Sequence, residues 1–183
     1  MLRILSLFIL FSSFSCASNS QATVHKEEMK KEKGNGFINE KGEEITYVVK
    51  TTDAWKQELS EMEYYVIRDK GTERSFTGDL WDHKGKGVYT CRACELPLFS
   101  SDTKYKSGTG WPSFYAPIDK TYILSETDHL LGYPRTEVMC KRCEGHLGHV
   151  FEDGPAPTGL RYCINSASLD FVTSEDKSAM KKQ

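Results

Sequence analysis

The pattern of hydrophobic and polar positions divides the chain into segments of different character. Near the start, one positive residue, Arg3, precedes an apolar run from Ile4 to Phe11. This run is shorter than the roughly 20 apolar residues that a membrane-spanning helix needs. A short apolar run behind a positive residue is typical of an export signal. The pattern therefore predicts a signal peptide over residues 1–16 and an exported protein, periplasmic or membrane-anchored as first choice and secreted as second.

Cys16 stands just after the apolar run, where a lipoprotein signal carries the cysteine that becomes acylated. The match is loose, because Ser13 occupies a position where such signals usually carry leucine. Two interpretations stay open. Either Cys16 is lipidated and tethers the protein to a membrane, or it is removed with a conventional signal peptide.

The next stretch, residues 17–44, is polar and highly charged, with no helical or strand period. Such a composition buries too little apolar surface to offset the entropy lost on folding. We therefore expect a flexible polar linker here, one folded domain over residues 45–176, and a short tail over residues 177–183.

Two short helices are predicted at the start of this domain. They are indicated by apolar residues at helical spacing, namely Trp55, Leu59, Met62 and Val66. Ser60 and Glu63 have the spacing of a capping box, which predicts the start of the second helix. Gly71 is expected to end it.

Short runs of β-branched and aromatic residues follow, separated by Gly, Pro and Ser. The runs are GVYTC, TYILS, TEVMC, HVFED and LRYCINSASLDFV. Their lengths and boundaries are typical of antiparallel strands. The fold is therefore expected to be a single, mainly β domain with short N-terminal helices.

Composition narrows the classes of function. The chain of 183 residues carries 24 Lys and Arg against 26 Asp and Glu. It lacks the positive excess that would neutralise a phosphate backbone, so nucleic acid is not an expected partner. An apolar fraction of 38%, with nine Tyr and nine Phe, indicates a globular domain with a hydrophobic core.

Two Cys-x-x-Cys pairs are the clearest metal signal. They are formed by Cys91 with Cys94 and by Cys140 with Cys143. Each pair lets a tight turn present two thiolates to one ion, and two such turns complete the tetrahedron that zinc prefers. We predict one structural zinc ion that staples the domain and leaves no open position for hydrolytic chemistry. Two alternatives stay open: a pair of disulfides, which exported proteins commonly form, and a redox-active pair in a thiol-disulfide oxidoreductase.

A further cysteine, Cys163, lies in a predicted strand among chemically useful neighbours. Arg161 and Asn165 stand two residues before and after it, and His146 and His149 lie upstream. If strand pairing brings these groups together, the cation and the hydrogen-bond donors should lower the pKa of the thiol. On a straight strand the two histidines would face opposite sides, so spacing alone does not place both beside Cys163.

The strings RSFTGDLWDH, SGTGWPSFYAP, GHLGHVFEDGP and GLRYCINSASL, with the two Cys-x-x-Cys pairs in the same order, resemble the B-type methionine sulfoxide reductases. The match runs from about Tyr47 to Val172. The resemblance implies two antiparallel sheets with short helices on the N-terminal side. It also implies reduction of the R epimer of methionine sulfoxide, in proteins or as the free amino acid.

The resemblance also implies roles for individual residues. It places the catalytic groups at Cys163, His146, His149 and Asn165, and the substrate-binding groups at Trp111, Asp153 and Arg161. Cys163 would attack the sulfoxide sulfur while the histidines and Asn165 stabilise or protonate its oxygen, leaving a sulfenic acid. Asp153 would orient an imidazole or a water.

Two positions depart from the family pattern. Thr109 stands where many members carry a second, resolving cysteine, so recycling of Cys163 is expected to need an external thiol, either a thioredoxin-like protein or a small molecule. Glu152 stands where proline is common. The competing hypothesis from another class is a zinc-stapled binding module without catalysis.

Overall fold

The computed structural model of the chain describes residues 35–129 and 132–175. The predicted signal peptide, Cys16 and the tail lie outside these ranges, as does most of the predicted linker. No helix in the described ranges is long and apolar enough to cross a membrane.

Two short helices lie in the predicted segment, and the second begins where the capping box predicts. Helix α1 spans Thr52–Glu58 and α2 spans Glu61–Ile67. Ser60 caps α2 in a complete capping box with Glu63, because the side chain of each accepts the backbone N–H of the other. The side chains of Trp55, Leu59 and Val66 are buried, whereas Met62 is half exposed.

The end of α2 differs from the sequence expectation. The amide of Gly71 donates to the carbonyl of Tyr65 at 2.9 Å. The left-handed residue is Lys70 (φ 58°), one position before the glycine. The ζ-amine of Lys70 is held by the buried carboxylate of Glu137 at 2.8 Å, so a long-range contact accompanies this turn.

A β-hairpin occupies part of the segment predicted to be a linker. Strand β1 (Gly36–Ile38) pairs with β2 (Glu44–Thr46). The buried side chain of Asn39 donates to the hydroxyl of Tyr122 at 3.0 Å and so joins the hairpin to the domain. The prediction of a flexible linker extending to residue 44 is therefore wrong for residues 36–44. The hairpin was missed because strands of three residues are too short to show an alternating hydrophobic pattern in the sequence.

Nine further strands lie in residues 35–129 and 132–175. They are β3 (Gly87–Cys91), β4 (Pro97–Ser100), β5 (Lys104–Tyr105), β6 (Ser113–Phe114), β7 (Ile123–Asp128), β8 (Arg135–Cys140), β9 (His146–Phe151), β10 (Arg161–Ile164) and β11 (Leu169–Thr173). One antiparallel sheet has the order β5-β6-β10-β9-β8-β7, and a second has the order β11-β3-β4. Two main antiparallel sheets with short N-terminal helices confirm the expected fold class.

Aromatic side chains form the core between the two sheets. Phe99 of the smaller sheet stacks on Phe114 of the larger, with ring centroids 4.4 Å apart. Tyr89 meets Phe114 edge-on at 5.0 Å, and Tyr162 contacts Phe99 at 5.7 Å. Such pairs add stability beyond their buried area, and they fix the distance between the sheets. The opposite face of the larger sheet is left for polar groups.

Candidate active site

Strand register places Cys163 at the centre of this polar face. Cys163 of β10 lies opposite His149 of β9 and opposite Ser113 of β6. Directly opposed residues project from the same face of a sheet. Gly148, the other close neighbour, has a φ of 158°, and a Cβ there would lie 2.1 Å from the carbonyl oxygen of Cys163. The absence of a side chain therefore allows β9 and β10 to approach beside the thiol.

A β-bulge brings the two histidines to one side. The register shifts so that Val138 pairs with Gly148 and Met139 pairs with His146, leaving Leu147 as the extra residue. The rings of His146 and His149 consequently lie 5.5 Å apart, centroid to centroid. On a straight strand the two histidines would face opposite sides, and the bulge allows both to lie on one side.

His149 contacts a carboxylate that the sequence did not reveal. Its Nε2 donates to Oδ2 of Asp128 at 2.8 Å, and the same carboxylate forms an ion pair with Arg135. Because a carboxylate only accepts hydrogen bonds, this contact fixes the ring proton on Nε2 and leaves Nδ1 to take up or give a proton.

His146 lies deeper than His149. Its Nδ1 donates to Oε1 of Glu137 at 2.8 Å, and the other carboxylate oxygen accepts from Lys70. Burial lowers the pKa of this imidazole, with the Glu137 carboxylate acting in the opposite direction. Its Nε2 is buried without a hydrogen-bond partner in the described structure.

The thiol of Cys163 lies in a small cavity of about 120 Å³. The cavity is lined by Thr72, Trp111, Arg135, Gly148, His149, Phe151, Cys163 and Asn165. His149 reaches this cavity, whereas His146 is not part of its wall. A space of this size beside an indole can accept one side chain.

The pKa of the Cys163 thiol is raised, contrary to the sequence expectation. Burial is the largest cause, and it outweighs the hydroxyl of Thr109, 3.8 Å from the sulfur, and the charge of Arg161, both of which act to lower the pKa. The neighbouring groups are present as predicted, but removal of water from the sulfur has the larger effect.

Arg161 and Asp153 form a pair of their own. Nε and Nη2 of Arg161 donate to the two carboxylate oxygens of Asp153 at 2.8 and 2.9 Å. The guanidinium also lies over the ring of Phe151. Asp153 therefore orients an arginine rather than an imidazole.

Asn165 and Trp111 are both held by Glu73. The carboxamide oxygen of Asn165 accepts from the amide of Glu73 at 3.1 Å, and its nitrogen donates to the carbonyl of Leu147. The indole of Trp111 donates to the carbonyl of Glu73 at 3.2 Å. The buried Glu73 carboxylate accepts two further amides, those of Ser166 and Ala167. In this structure Asn165 holds backbone segments together at the cavity wall.

The four remaining described cysteines form one buried cluster. The sulfurs of Cys91, Cys94, Cys140 and Cys143 all lie within 4.8 Å of one another. The Cys91–Cys143 and Cys94–Cys140 sulfur pairs are 3.7 and 3.5 Å apart, too far for disulfides. Four sulfurs bound tetrahedrally to zinc at about 2.3 Å would lie about 3.8 Å apart. All four cysteines are free in this structure, so neither Cys-x-x-Cys pair is a disulfide, and the donor set fits a zinc ion.

The two halves of the cluster have the same backbone. In each, the amide of the glutamate after the second cysteine donates to the carbonyl of the first cysteine, Glu95 to Cys91 at 2.7 Å and Glu144 to Cys140 at 2.8 Å. Both glutamates are left-handed, with φ of 62° and 56°. This repeated turn is what points both sulfurs of a pair the same way.

Several residues around the site were not predicted. They are Glu73, Asp128, Arg135 and Glu137. Of these, only Glu137 could have been noticed in the sequence, as the one acidic residue in the predicted strand TEVMC. The others come into place through register and loop contacts between distant segments.

Residues 59–173 match the family model described as the SelR domain, well over half of the chain. The chain is also similar to proteins named peptide methionine sulfoxide reductase MsrB. One from Thiobacillus denitrificans is 57% identical over 122 residues, covering 67% of this chain and 92% of the relative. One from Leptospira interrogans is 56% identical, covering 68% and 95%, and one from Methanosarcina barkeri is 57% identical, covering 70% and 91%.

Proposed function

The chain belongs to the peptide methionine sulfoxide reductases of the MsrB type, and we propose that it reduces the R epimer of methionine sulfoxide with the thiol of Cys163. The observation that carries this assignment is the register that places Cys163 beside His149, in a cavity walled by Trp111. Membership of this enzyme family sets aside the alternatives of a non-catalytic binding module and a thiol-disulfide oxidoreductase.

The first step is attack of the Cys163 sulfur on the sulfoxide sulfur. The sulfur–sulfur bond formed in this attack breaks again as the oxygen passes from the methionine sulfur to the sulfur of Cys163, which releases methionine and leaves a sulfenic acid on Cys163. The cysteine sulfur is oxidised by two electrons, and the methionine sulfur is reduced by two. Because burial keeps the thiol protonated near neutral pH, a base must take its proton. The same proton then protonates the departing oxygen.

We assign this proton transfer to His149. His149 lies in the cavity wall, and its contact with Asp128 leaves Nδ1 available. His146 is held by Glu137 behind the cavity. We expect His149→Asn to lower kcat/KM by about 10²- to 10⁴-fold, the usual contribution of a general acid–base. An equal or greater loss in His146→Asn would overturn the assignment.

Recycling of the sulfenic acid requires an external thiol. Thr109 is the residue whose hydroxyl faces the sulfur, and the other described cysteines belong to the buried cluster. One external thiol would form a mixed disulfide with Cys163 and release water, and a second would release the enzyme as a thiol. A thioredoxin-like protein or a small thiol supplies both.

Intact mass can test this recycling step. One equivalent of substrate without reductant should add one oxygen to the protein, and dimedone should trap it. A loss of two hydrogens instead would indicate an intramolecular disulfide and contradict the proposal.

We propose that the four-cysteine cluster holds one structural zinc ion. Four thiolates this close together repel one another unless a shared cation neutralises their charge. The spacing of the four sulfurs supports zinc as that cation. One zinc per chain after gel filtration would support this assignment, and metal-free folded protein would contradict it.

We also propose export and lipid attachment at Cys16, on the sequence pattern alone. Labelled palmitate should be incorporated by the full chain and lost in Cys16→Ala. Incorporation that persists in the variant, or none in either protein, would contradict lipidation.

The main test compares the two epimers of a blocked methionine sulfoxide, with dithiothreitol as reductant. The R epimer should be reduced by the wild type and not by Cys163→Ser. Reduction of the S epimer alone would overturn the stereochemistry, and undiminished activity in Cys163→Ser would overturn the choice of nucleophile.

A further inference from the structure

A second, larger cavity lies beside the one that holds Cys163. Its volume is about 630 Å³, and Trp111 belongs to the walls of both cavities. Volumes of about 300–1,000 Å³ are typical of ligand sites. A ligand whose reacting group enters the small cavity would therefore have its neighbouring atoms over the larger one.

The apolar part of the larger cavity includes a pair of aromatic side chains, of which Phe76 is exposed and Trp81 is partly buried. Phe76 is 55% exposed, and its ring meets that of Trp81 edge-on at 5.3 Å. Phe76 has a φ of 65°, in the left-handed region that bulky non-glycine residues seldom adopt. Its amide donates to the carbonyl of Gly110 at 2.8 Å, and a Cβ on Gly110 would lie 2.7 Å from the Phe76 ring. Burial does not explain this strain, whereas presentation of the ring to a ligand would.

The wall of this cavity is preformed. The amine of Lys104 is half buried and donates to the carbonyls of Trp81 and His83, both at 3.0 Å. These contacts tie the loop that carries Trp81 to strand β5, at the edge of the sheet that holds Cys163. The groove therefore needs little ordering on binding.

The charge of the groove is positive. Its lining contains four lysines, at positions 84, 86, 104 and 106, against one carboxylate, Asp82. Lys86 forms an ion pair at 3.0 Å with Asp102, which lies outside the lining, and the other three lysines still outnumber the lining carboxylate. The Asp82 carboxylate lies 3.8 Å from the amine of Lys84. Lys106 is exposed, with no ion pair found for it in the described ranges. A basic groove on a chain with a net charge of −2 is a local feature, and it complements an acidic ligand.

We propose that this groove binds the polypeptide on either side of the methionine sulfoxide and favours substrates with acidic residues next to it. The inference rests on the proposed function and adds to it a preference for acidic residues beside the methionine sulfoxide. Phe76 and Trp81 would contact apolar parts of the segment, and Lys84 and Lys106 would attract its carboxylates.

Three substrates containing the R epimer test this proposal with the full chain. They are a blocked single methionine sulfoxide and two blocked pentapeptides, with aspartate or lysine on both sides of the sulfoxide. At low salt, kcat/KM should be about fivefold higher for the aspartate peptide than for the lysine peptide, as exposed ion pairs allow. The difference should shrink at about 0.5 M salt, because counterions screen exposed charges.

Two variants and a control locate the effect. Lys84→Glu combined with Lys106→Glu should reverse the preference between the peptides. Phe76→Ala should lower kcat/KM for both peptides by about tenfold, and by much less for the single residue. Tyr65→Ala removes an aromatic side chain of similar exposure on α2 and should change none of the three.

The outcomes distinguish the groove proposal from the proposed reductase function on which it rests. Equal kcat/KM for all three substrates, or an equal loss on all three in Phe76→Ala, would overturn the groove while leaving the reductase intact. If Lys84→Glu combined with Lys106→Glu left the ratio of kcat/KM between the two peptides unchanged, the proposed preference for acidic neighbours would be overturned. Absence of activity on every substrate would overturn both the proposed function and the groove.

Discussion

The five described cysteines lie in two environments with different chemistry. In the four-cysteine cluster every thiol is buried and its neighbours are other sulfurs. Cys163 is partly exposed in a cavity, and its neighbours are a hydroxyl, an arginine and a histidine. The comparison shows that the groups around a thiol, more than the thiol itself, determine whether it can bind a metal or react.

The electrostatics of the two environments differ in the same way. The pKa of the Cys91 thiol is raised first by hydrogen bonding with Cys140 and the other thiols and then by burial. Only a shared cation can stabilise several thiolates there. At Cys163 burial also raises the pKa, but Thr109 and Arg161 oppose the rise and stabilise a single thiolate. The cluster is therefore suited to a metal, and Cys163 to transient ionisation.

The largest difference should appear in stability. Cys140→Ser removes a cluster sulfur, and we expect loss of bound zinc and a fall of about 4 kcal/mol in the free energy of unfolding, as loss of a tightly bound ligand causes. Cys163→Ser should keep its zinc and shift Tm by less than about 3 °C. Metal analysis and thermal unfolding of both variants measure this. Equal Tm values for Cys140→Ser and Cys163→Ser would contradict the proposed difference in stability between the two cysteine environments.

Alkylation should distinguish the same cysteines in the wild type. With zinc bound, iodoacetamide should modify only Cys163 among the five described cysteines, since a ligating thiolate is not available as a nucleophile. A chelator with mild denaturant should expose the cluster cysteines, and mass spectrometry counts the added groups. Modification of any cluster cysteine in the zinc-loaded native protein would contradict the comparison.

The rate of Cys163 alkylation should depend steeply on pH. Its pKa lies above the ordinary value of 9.0, so the thiolate fraction grows with pH throughout the neutral range. Below the pKa that fraction rises about tenfold per pH unit. We expect this rise to continue from pH 7 to about pH 9 without a plateau. A plateau near pH 7 would indicate a thiol with a lowered pKa, as the sequence alone suggests.

The two partners of the Arg161–Asp153 pair should change this rate in opposite directions. The charge of Arg161 lowers the pKa of Cys163, and that of Asp153 raises it. Arg161→Met should slow alkylation at pH 7 about fivefold, whereas Asp153→Asn should speed it about twofold, because Asp153 is exposed and its charge is screened. Changes of the same sign would indicate that both variants act by distorting the site.

The features that sequence predicted are mostly local. The Cys-x-x-Cys pairs and the Ser60–Glu63 capping box depend on residues two or three positions apart, so their spacing is enough to predict them. The resemblance supplied the positions of Cys163, His146 and His149, but not how a single strand could present both histidines. That required the bulge at Leu147, which depends on pairing with β8.

The features that sequence reasoning missed depend on distant contacts. Asp128 meets His149 across 21 residues, and Glu73 meets Asn165 across 92. No spacing rule connects such positions. The raised pKa of Cys163 was missed for a related reason, because sequence identifies neighbouring charges but not how completely folding removes water from the sulfur.

A smaller effect than that of Arg161 is expected from the hydroxyl of Thr109, which begins a chain of hydrogen bonds from Cys163. The Thr109 and Ser107 hydroxyls are 2.9 Å apart, and Ser107 and Ser113 are 2.7 Å apart. Each hydroxyl has one proton, so the chain runs in one direction at a time. When the Ser113 hydroxyl donates to the carbonyl of Trp111, as its geometry allows, Thr109 accepts from the thiol. When Cys163 ionises, all three must turn so that Thr109 donates to the sulfur.

Thr109→Val keeps the shape of this side chain and removes its hydroxyl. Because the thiolate then loses a donor, we expect alkylation at pH 7 to slow about threefold, in line with one neutral hydrogen bond. Ser113→Ala removes the far end of the chain and should have a smaller effect in the same direction. Faster alkylation in Thr109→Val would mean that the hydroxyl mainly accepts from the thiol, and that Arg161 alone opposes the effect of burial on Cys163.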